Sequence, residues 1–266
     1  MGKVIAVSNQ KGGVGKTTTT INLAAALALA DQRVLVVDLD PQANLTSGLG
    51  QKGQEGNTIY EALTHDAPLP VLETPVERLS LVPSSRHLAG AEVELVALDA
   101  REMRLRRLLV DARNEFDVVL VDTPPSLGLL TLNALVAADT VLIPLHCEYF
   151  ALEGLADLMA TLARVRQSLN PPLDIEGVVL TMYDDRTNLG QQVAREIREF
   201  FEQRVFDTVI PRNVRLAEAP SHGLPAILYD PRSRGAEAYV ALARELLSRN
   251  RRSRQPPPPP SEPTPQ

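Results

Sequence analysis

The stretch KVIAVSNQKGGVGKTTTTINLAAALAL, residues 3–29, combines three segments of different character. Residues 3–9 form an apolar run rich in β-branched side chains, which predicts a buried strand. A glycine-rich turn follows, and the Ala- and Leu-rich run from Lys16 to Ala30 predicts a helix. A strand, a glycine-rich turn containing Lys-Thr and a helix, in this order, are typical of a loop that binds nucleotide phosphates.

Strands and helices are predicted to alternate along the rest of the chain. Further strands are predicted at residues 33–40, 79–85, 116–126, 140–145, 175–182 and 204–211, and further helices at 86–113, 127–137, 151–168, 190–201 and 236–249. The strands are nearly continuous apolar runs, as burial on both faces requires. We therefore expect the α/β class, in the form of three layers with a mostly parallel, twisted sheet and helices on both faces.

The composition indicates a soluble globular protein. The 266 residues are 44% hydrophobic, and no run reaches the ~20 apolar residues that a membrane span needs. The single cysteine, Cys147, excludes a disulfide framework and cannot by itself supply a structural zinc site or an iron–sulfur cluster. No secretory signal opens the chain, so we expect a reduced, cytoplasmic location.

Charge and composition change toward the C-terminal end. The net charge is −6, yet residues 183–254 carry 13 basic side chains, all Arg, against 10 acidic ones. Such a segment is able to present a basic face, although a mixed, solvated surface explains the same counts. Residues 250–266, NRRSRQPPPPPSEPTPQ, have no apolar face, which predicts a disordered Arg- and Pro-rich tail after a single domain at 1–249.

The glycine-rich turn carries the groups that a triphosphate requires. Its backbone N–H groups and the start of the helix favour phosphate oxygens, and glycines permit close approach. Lys16 is expected to bridge the outer phosphates, and the Thr17 hydroxyl to bind Mg²⁺. The common pattern, G-x-x-x-x-G-K-[ST], has Gly at position 10, whereas this chain has Gln10 followed by Lys11. Two of the chain's four lysines therefore flank the turn.

The resulting pattern, KGGVGKTTT, resembles the deviant Walker A motif of the ParA/MinD group of P-loop ATPases. VLVVDLDPQAN and VVLVDTPPS resemble the next two motifs of that group, and CEYFALEG, RTNLG, VIPRNVRLAEAPSHG and YDPRSRGAEAY resemble its chromosomal ParA (Soj) branch. The resemblance extends over residues 3–247. One departure is His146, where relatives usually have Gln.

The resemblance implies that the three layers form a P-loop NTPase fold. It also implies an ATPase that is weak by itself, is stimulated by a partner and uses ATP and Mg²⁺ as cofactors. The implied cofactor-binding residues are Lys11, Gly12, Gly13, Val14, Gly15, Lys16, Thr17 and Thr18, with Pro211 and Asn213 at the adenine. The implied catalytic residues are Lys11, Lys16 and Asp40. Lys11 would reach the ATP of the partner subunit in a nucleotide-sandwich dimer, and Asp40 would orient the attacking water. For Lys11, tethering of its own loop is the alternative.

Thr17, Asp38 and Asp122 are the residues expected at the metal. Asp122 ends a predicted strand beside the loop and is expected to hold Mg²⁺. For Asp38, which ends the neighbouring strand, support of Asp40 or of the metal and the capping of a helix are equal alternatives.

The resemblance also implies partners. Arg186 and Arg215 lie where the Soj branch contacts DNA phosphates, and surface salt bridges are the alternative for both. The expected partners are a second copy of the chain when ATP is bound, non-specific double-stranded DNA and a ParB-like centromere-binding protein, which would place the chain at the nucleoid. Membrane binding is not expected, because no apolar stripe follows Leu247. The alternative functions are the positioning of a plasmid or protein cluster, and a metabolic P-loop ligase or synthetase.

Overall fold

The computed structural model describes residues 1–148 and 151–254. The strands within these residues are β1 Lys3–Val7, β2 Val34–Asp38, β3 Leu72–Glu73, β4 Leu79–Val82, β5 Val118–Asp122, β6 Thr140–His146 and β7 Asp174–Thr181. They form one sheet in the order β3-β4-β2-β5-β1-β6-β7, and each pairing is parallel except that between β3 and β4. The predicted α/β class with a mostly parallel sheet is confirmed.

Helices cover both faces of this sheet. In the described part of the chain they are α1 Lys16–Leu29, α2 Asn44–Gly48, α3 Ile59–Thr64, α4 Leu88–Glu94, α5 Arg104–Glu115, α6 Leu129–Ala137, α7 Ala151–Ser168, α8 Asn188–Phe201, α9 Val214–Glu218, α10 Ala226–Tyr229 and α11 Arg234–Arg254. Short 3₁₀ segments lie at Leu95–Ala97, Glu202–Arg204 and Ala219–His222.

The sheet separates two apolar clusters. Val4 and Ala6 of β1 lie in one cluster and Ile5 and Val7 in the other, because successive side chains of a strand point to opposite faces. Helices α3 to α8 contribute to the first cluster, and α1, α10 and α11 to the second. The side chains of these four residues are inaccessible to solvent, so the predicted burial of this strand on both faces is confirmed.

The carboxyl ends of β2, β5 and β1 lie side by side at the centre of the sheet. Asp38 and Asp122 are paired in the register of β2 and β5, and Val7 is paired with Asp122. The loop after β1 therefore opens where two strand-ending aspartates meet. This edge is the one at which open α/β sheets bind ligands.

The prediction of a strand at residues 204–211 is wrong. Only isolated bridges form in this segment. The backbone N–H groups of Asp207 and Thr208 donate to the carboxylate of Glu245 on α11, at 2.9 Å each. These groups are therefore not available to extend the sheet beyond β7.

The single helix predicted at 86–113 is interrupted between α4 and α5. Ala100, in the interruption, has a φ of 48°, outside the right-handed helical region. The side chain of Asn133 accepts a hydrogen bond from Leu105 N–H and donates one to the carbonyl oxygen of Arg101. A side chain of α6 thus holds the start of α5, and this contact lies too far along the chain to be read from local periodicity.

The last helix extends beyond the predicted domain end at residue 249. α11 continues to Arg254, so residues 250–254 are helical, in contrast to the tail predicted from 250 onward. Asn250 accepts a hydrogen bond from Lys3 Nζ at 2.6 Å, which attaches this part of the helix to β1. The first proline of the tail is Pro256, so none interrupts the helix before Arg254. The rest of the predicted tail, 255–266, lies outside the described residues.

Candidate nucleotide site

The turn between β1 and α1 has the backbone shape of a phosphate-binding loop. Gly13 and Gly15 have φ values of 73° and 86°, in the left-handed region that favours glycine. A Cβ added at Gly12 or Gly13 would meet no atom within 4 Å, so the loop borders open space. α1 starts at Lys16 and runs for 14 residues, and its first N–H groups and its dipole favour an anion at this point.

Lys16 lies within this loop and is 7% exposed. Its ammonium group donates to the carbonyl oxygen of Lys11 at 3.3 Å. Burial lowers the pKa of Lys16, while the negative charges of Asp122 and Asp40 act in the opposite direction. A phosphate beside the ammonium group would further favour its charged form, so the position suits the predicted role at the outer phosphates.

Asp122, at the end of β5, is completely buried and accepts hydrogen bonds from two hydroxyl groups of α1. Thr17 Oγ1 donates to Oδ2 at 2.7 Å, and Thr20 Oγ1 donates to Oδ1 at 3.2 Å. Burial and, to a smaller extent, the charge of Asp38 raise the pKa of Asp122 to about 8. A divalent cation would relieve this cost, and carboxylate and hydroxyl oxygens are ligands that Mg²⁺ takes. Thr17 and Asp122 therefore fit the predicted metal site.

Asp38 has both carboxylate oxygens engaged by its own chain. Asp40 N–H donates to Oδ1 at 3.1 Å, and the N–H and hydroxyl of Thr46 donate to Oδ2 at 2.9 and 2.7 Å. Burial raises the pKa of Asp38 to about 6, although these hydrogen bonds oppose the shift. Since Thr46 lies in the first turn of α2, the contacts support the helix-capping alternative. A role of Asp38 at the metal stays a prediction.

Asp40 lies at the wall of a cavity of about 670 Å³ that opens beside the loop. It is 9% exposed, and its Oδ1 accepts a hydrogen bond from Gln42 N–H at 2.9 Å. The predicted loop residues that line the same cavity are Gly12, Gly13, Gly15, Lys16, Thr17 and Thr18. The side chain of Val14 is buried, so any contact with phosphate would come from its backbone.

Pro211 and Asn213 line the same cavity, as expected for a base-binding end. Asn213 Oδ1 accepts a hydrogen bond from Arg215 N–H at 2.9 Å and thereby caps α9. The Asn213 amide group therefore has its Nδ2 donors left for a ring nitrogen of a base. The predicted contact with adenine is compatible with this cap and stays a prediction.

Lys11 is not among the residues that line the cavity. Its Nζ lies 2.7 Å from Glu148 Oε2, and the other oxygen of Glu148 lies 2.8 Å from His146 Nδ1. The Lys11 side chain is 32% exposed and that of Glu148 48% exposed. In this structure, therefore, Lys11 is held within its own subunit by Glu148.

Both arginines predicted to contact DNA form ion pairs within the chain. Arg186 Nε and Nη2 donate to the two oxygens of Asp184, at 2.8 and 2.7 Å. Arg215 Nη1 lies 2.7 Å from Glu218 Oε2, and its Nε lies 3.2 Å from Asp230 Oδ2. These contacts support the salt-bridge alternative for both residues. Contact with DNA stays a prediction.

Known proteins similar to this chain cover nearly all of it. A family model described as an AAA domain matches residues 2–175. The sporulation initiation inhibitor protein Soj of Bacillus subtilis is 56% identical over 249 residues, which are 92% of this chain and 98% of that protein. The chromosome partitioning protein ParA of Myxococcus xanthus is 56% identical over 253 residues, 94% of this chain and 89% of that protein. The chain belongs to the Soj/ParA family of chromosome-partitioning ATPases.

Solved structures agree with the fold of this Soj/ParA chain. Cobyrinic acid a,c-diamide synthase from Mycobacterium smegmatis, solved with ADP and magnesium, is 38% identical with a TM-score of 0.83 and covers 97% of this chain and 98% of its own. The cell division ATPase MinD of Pyrococcus furiosus is 28% identical with a TM-score of 0.76 and covers 93% and 99%. The predicted P-loop NTPase fold is confirmed. Among the described helices, none is long and apolar enough to cross a membrane.

Several residues at this Soj/ParA site escaped prediction from the sequence. Thr181 donates its hydroxyl to the carbonyl oxygen of Val14 at 2.8 Å and so attaches the loop to β7. Met182 lines the cavity with a φ of 48°, an uncommon value for a residue with a side chain. Glu148 lies in the CEYFALEG block that pointed to the family, so a signal for it was present. The apolar run at residues 175–182 gave no signal for Thr181 or Met182.

Proposed function

We propose that this chain is a DNA-segregation ATPase in which ATP binding, pairing of two subunits and DNA binding form one switch. ATP and Mg²⁺ are its cofactors, as in relatives of the same fold solved with nucleotide and magnesium. The ATP-bound dimer binds DNA without sequence preference. A ParB-like protein stimulates hydrolysis, which separates the subunits and releases the DNA.

The cavity beside the loop supports the first step. The triphosphate lies over the glycine turn and the start of α1, with Lys16 at its outer phosphates. Thr17 and Asp122 hold Mg²⁺, which neutralises phosphate charge when it is bound. Asp40, on the wall of the cavity, orients the water that attacks the terminal phosphate.

The position of Lys11 is the observation that carries the proposal. Its ammonium group lies outside the cavity of its own subunit and is partly exposed. After it leaves Glu148, it is free to reach a triphosphate on the partner subunit. A second cation there stabilises the charge that develops on the transferred phosphoryl group. Because only a bound triphosphate replaces the lost ion pair, pairing depends on ATP.

The basic C-terminal third supports the DNA step. Arg186 leaves Nη1 outside its pair with Asp184, and Arg215 leaves Nη2 outside its pairs, so each guanidinium keeps donors for a phosphate. A dimer presents two copies of these arginines. Each neutralised phosphate releases counterions, so the affinity for DNA rises steeply from monomer to dimer. Contacts of this kind carry little sequence information.

The cargo is the chromosome in this proposal, because relatives that are 51% and 56% identical over 94% of the chain are named chromosome partitioning proteins. Localisation at the nucleoid follows from DNA binding. Positioning of a plasmid or protein cluster is the alternative. A metabolic synthetase is a second alternative, favoured by the likeness to the cobyrinic acid synthase at 38% identity. ATP-dependent retention on DNA separates the switch from a synthetase.

The test replaces Lys11. We expect Lys11→Ala to bind ATP but to lose ATP-dependent dimers and DNA retention, because the cation supplied to the partner is gone. Light scattering and retention on immobilised DNA, each with ATP, with ADP and without nucleotide, measure both steps. The matched control is Lys52→Ala, since Lys52 is an exposed lysine outside the cavity. Undiminished ATP-dependent dimers in Lys11→Ala would contradict the proposal.

A further inference from the structure

A buried chain of hydrogen bonds runs from Asp38 to Ser84, which follows β4, and from there to Asp40. It passes through the hydroxyl groups of Thr46 and Ser84. Thr46 Oγ1 donates to Asp38 Oδ2 at 2.7 Å and accepts a hydrogen bond from Ser84 N–H at 2.9 Å. The Ser84 hydroxyl in turn donates to the carbonyl oxygen of Asp40 at 2.8 Å. Asp38, Thr46 and Ser84 are each at most 1% exposed, so water does not substitute for these bonds.

These hydrogen bonds hold both backbone polar groups of Asp40, its N–H and its carbonyl oxygen. The N–H of Asp40 donates to Asp38, whose other oxygen is held by Thr46. The carbonyl oxygen of Asp40 is held by Ser84, which Thr46 also binds. Thr46 therefore belongs to a closed ring of hydrogen bonds that fixes the backbone of Asp40.

The turn after Asp40 requires such support. The carbonyl oxygen of Asp40 also accepts a hydrogen bond from Ala43 N–H at 2.9 Å, and Ala43 has a φ of 52°. A residue with a side chain in this left-handed conformation is strained, and it persists only where surrounding contacts determine it. The contacts of Thr46 and Ser84, neither of which lines the cavity, supply that determination.

We propose that Thr46 and Ser84 are positioning residues for ATP hydrolysis, which hold the Asp40 carboxylate at the distance and angle that the attacking water needs. The inference rests on the proposed role of Asp40 as the residue that orients this water. Neither Thr46 nor Ser84 lines the nucleotide cavity, so both act through Asp40 and not on the substrate. Hydroxyl groups behind a reacting carboxylate are able to control rate because a small displacement of that carboxylate weakens its alignment with water.

The experiment compares Ser84→Ala, Thr46→Val and Thr46→Ser. Single-turnover hydrolysis at saturating ATP measures the chemical step, and a fluorescent ATP analogue measures binding. We expect Ser84→Ala and Thr46→Val to hydrolyse ATP about tenfold more slowly or worse, as for other supporting contacts behind a functional group, with ATP affinity changed less than about twofold. Thr46→Ser keeps the hydroxyl group and should restore most of the rate.

Thr64→Val is the matched control for a merely structural effect. Thr64 is also buried, and its hydroxyl donates to the carbonyl oxygen of Tyr60 at 2.7 Å within α3, without contact to Asp40. We expect this variant to lose stability against urea but to keep its hydrolysis rate. Ser84→Ala removes a single oxygen atom, so it tests the proposal even if Thr46→Val fails to fold.

A double variant decides whether the effect passes through Asp40. In an Asp40→Ala background, Ser84→Ala should slow hydrolysis no further, because the group it positions is absent. An equal slowing in both backgrounds would overturn the inference, and so would a wild-type rate in Ser84→Ala and Thr46→Val while Asp40→Ala alone is slow. A wild-type rate in Asp40→Ala alone would overturn the proposed role of Asp40 and the inference with it.

Discussion

The interior of the nucleotide site and the surface around it hold their charged groups in different ways. Inside, Asp38 and Asp122 are bound by backbone N–H groups and hydroxyls from neighbouring elements. On the surface, Lys11, Arg186 and Arg215 each pair with a carboxylate of their own subunit. The interior contacts hold carboxylates beside the proposed nucleotide site, whereas the surface contacts occupy cations that the proposed partners would need.

In the proposed function, the interior contacts serve the binding of ATP, and the surface contacts couple that binding to dimerisation and to DNA binding. A rigid interior admits ATP with little rearrangement, since its loop and carboxylates are already placed. In the proposed function, the surface cations exchange one anion for another before two subunits or DNA engage. Exposed ion pairs are worth little, so a phosphate is able to displace them. Single substitutions are able to alter the interior contacts and the surface contacts separately.

The largest effect is expected from Asp122→Asn in the interior. Hydrolysis in the presence of Mg²⁺ should fall at least about 100-fold, because a charge that holds the metal is lost. Without nucleotide and near pH 7, the free energy of unfolding should instead rise by about 1 kcal/mol. Burial raises the pKa of Asp122 to about 8, so the folded chain must either protonate this carboxyl or bury it charged, and an amide avoids both costs. A steady-state ATPase assay and urea unfolding measure the two changes.

Asp117→Asn serves as the control for that comparison. Asp117 lies at the opposite end of β5 and pairs with Arg33 on the surface, at 2.9 Å. We expect no change in hydrolysis and little change in stability for this variant. A loss of stability in Asp122→Asn would mean that burial of the Asp122 carboxyl does not destabilise the folded chain.

A smaller effect is expected from Arg215→Glu on the surface. Each dimer loses two phosphate contacts and gains two like charges, so affinity for DNA should fall about 30-fold or more near 0.15 M salt, with a shallower dependence on salt. Fluorescence anisotropy with a random duplex at several salt concentrations measures both quantities. ATP-dependent dimerisation should persist.

Arg106→Glu controls for the change in net charge. Arg106 is an exposed arginine of α5, which packs on the face of the sheet opposite to α9. Its replacement should leave DNA affinity nearly unchanged. Equal losses in both variants would show that overall charge, and not the position of Arg215, controls DNA binding.

The sequence predicted the interior better than the surface, because its motifs are local. The glycine turn, Lys16 and Thr17 are contiguous. Asp122 ends a strand that is a continuous apolar run, and Asp40 lies two residues after the end of another. These patterns place the groups at one edge of a parallel sheet before any contact is known. Lys11 and Glu148 are 137 residues apart, so only the folded chain brings them together.

Two further misses have the same cause. Thr46 and Ser84 meet across 38 residues, and neither has a sequence pattern that points to the other. The predicted strand at 204–211 has suitable β-branched residues, but Glu245 in the distant α11 takes the N–H groups that a strand would use. Short helices such as α9 are fixed by a single cap, Asn213, and bury too few residues to show periodicity.

The smallest effect is expected from Glu148→Gln, which frees Lys11 without touching the interior. An exposed ion pair contributes about 0.5 kcal/mol, and each dimer opens two of them, so the ATP-dependent dimerisation constant should rise about fivefold. Analytical ultracentrifugation with ATP measures it, and Glu77→Gln, at an exposed glutamate before β4, is the control. A fall in dimerisation would mean that Glu148 itself contributes to the paired state. In that case Glu148 would not simply compete with the partner's triphosphate for Lys11. The charged groups of the surface would then be preorganised for the dimer, as those of the interior are for the nucleotide.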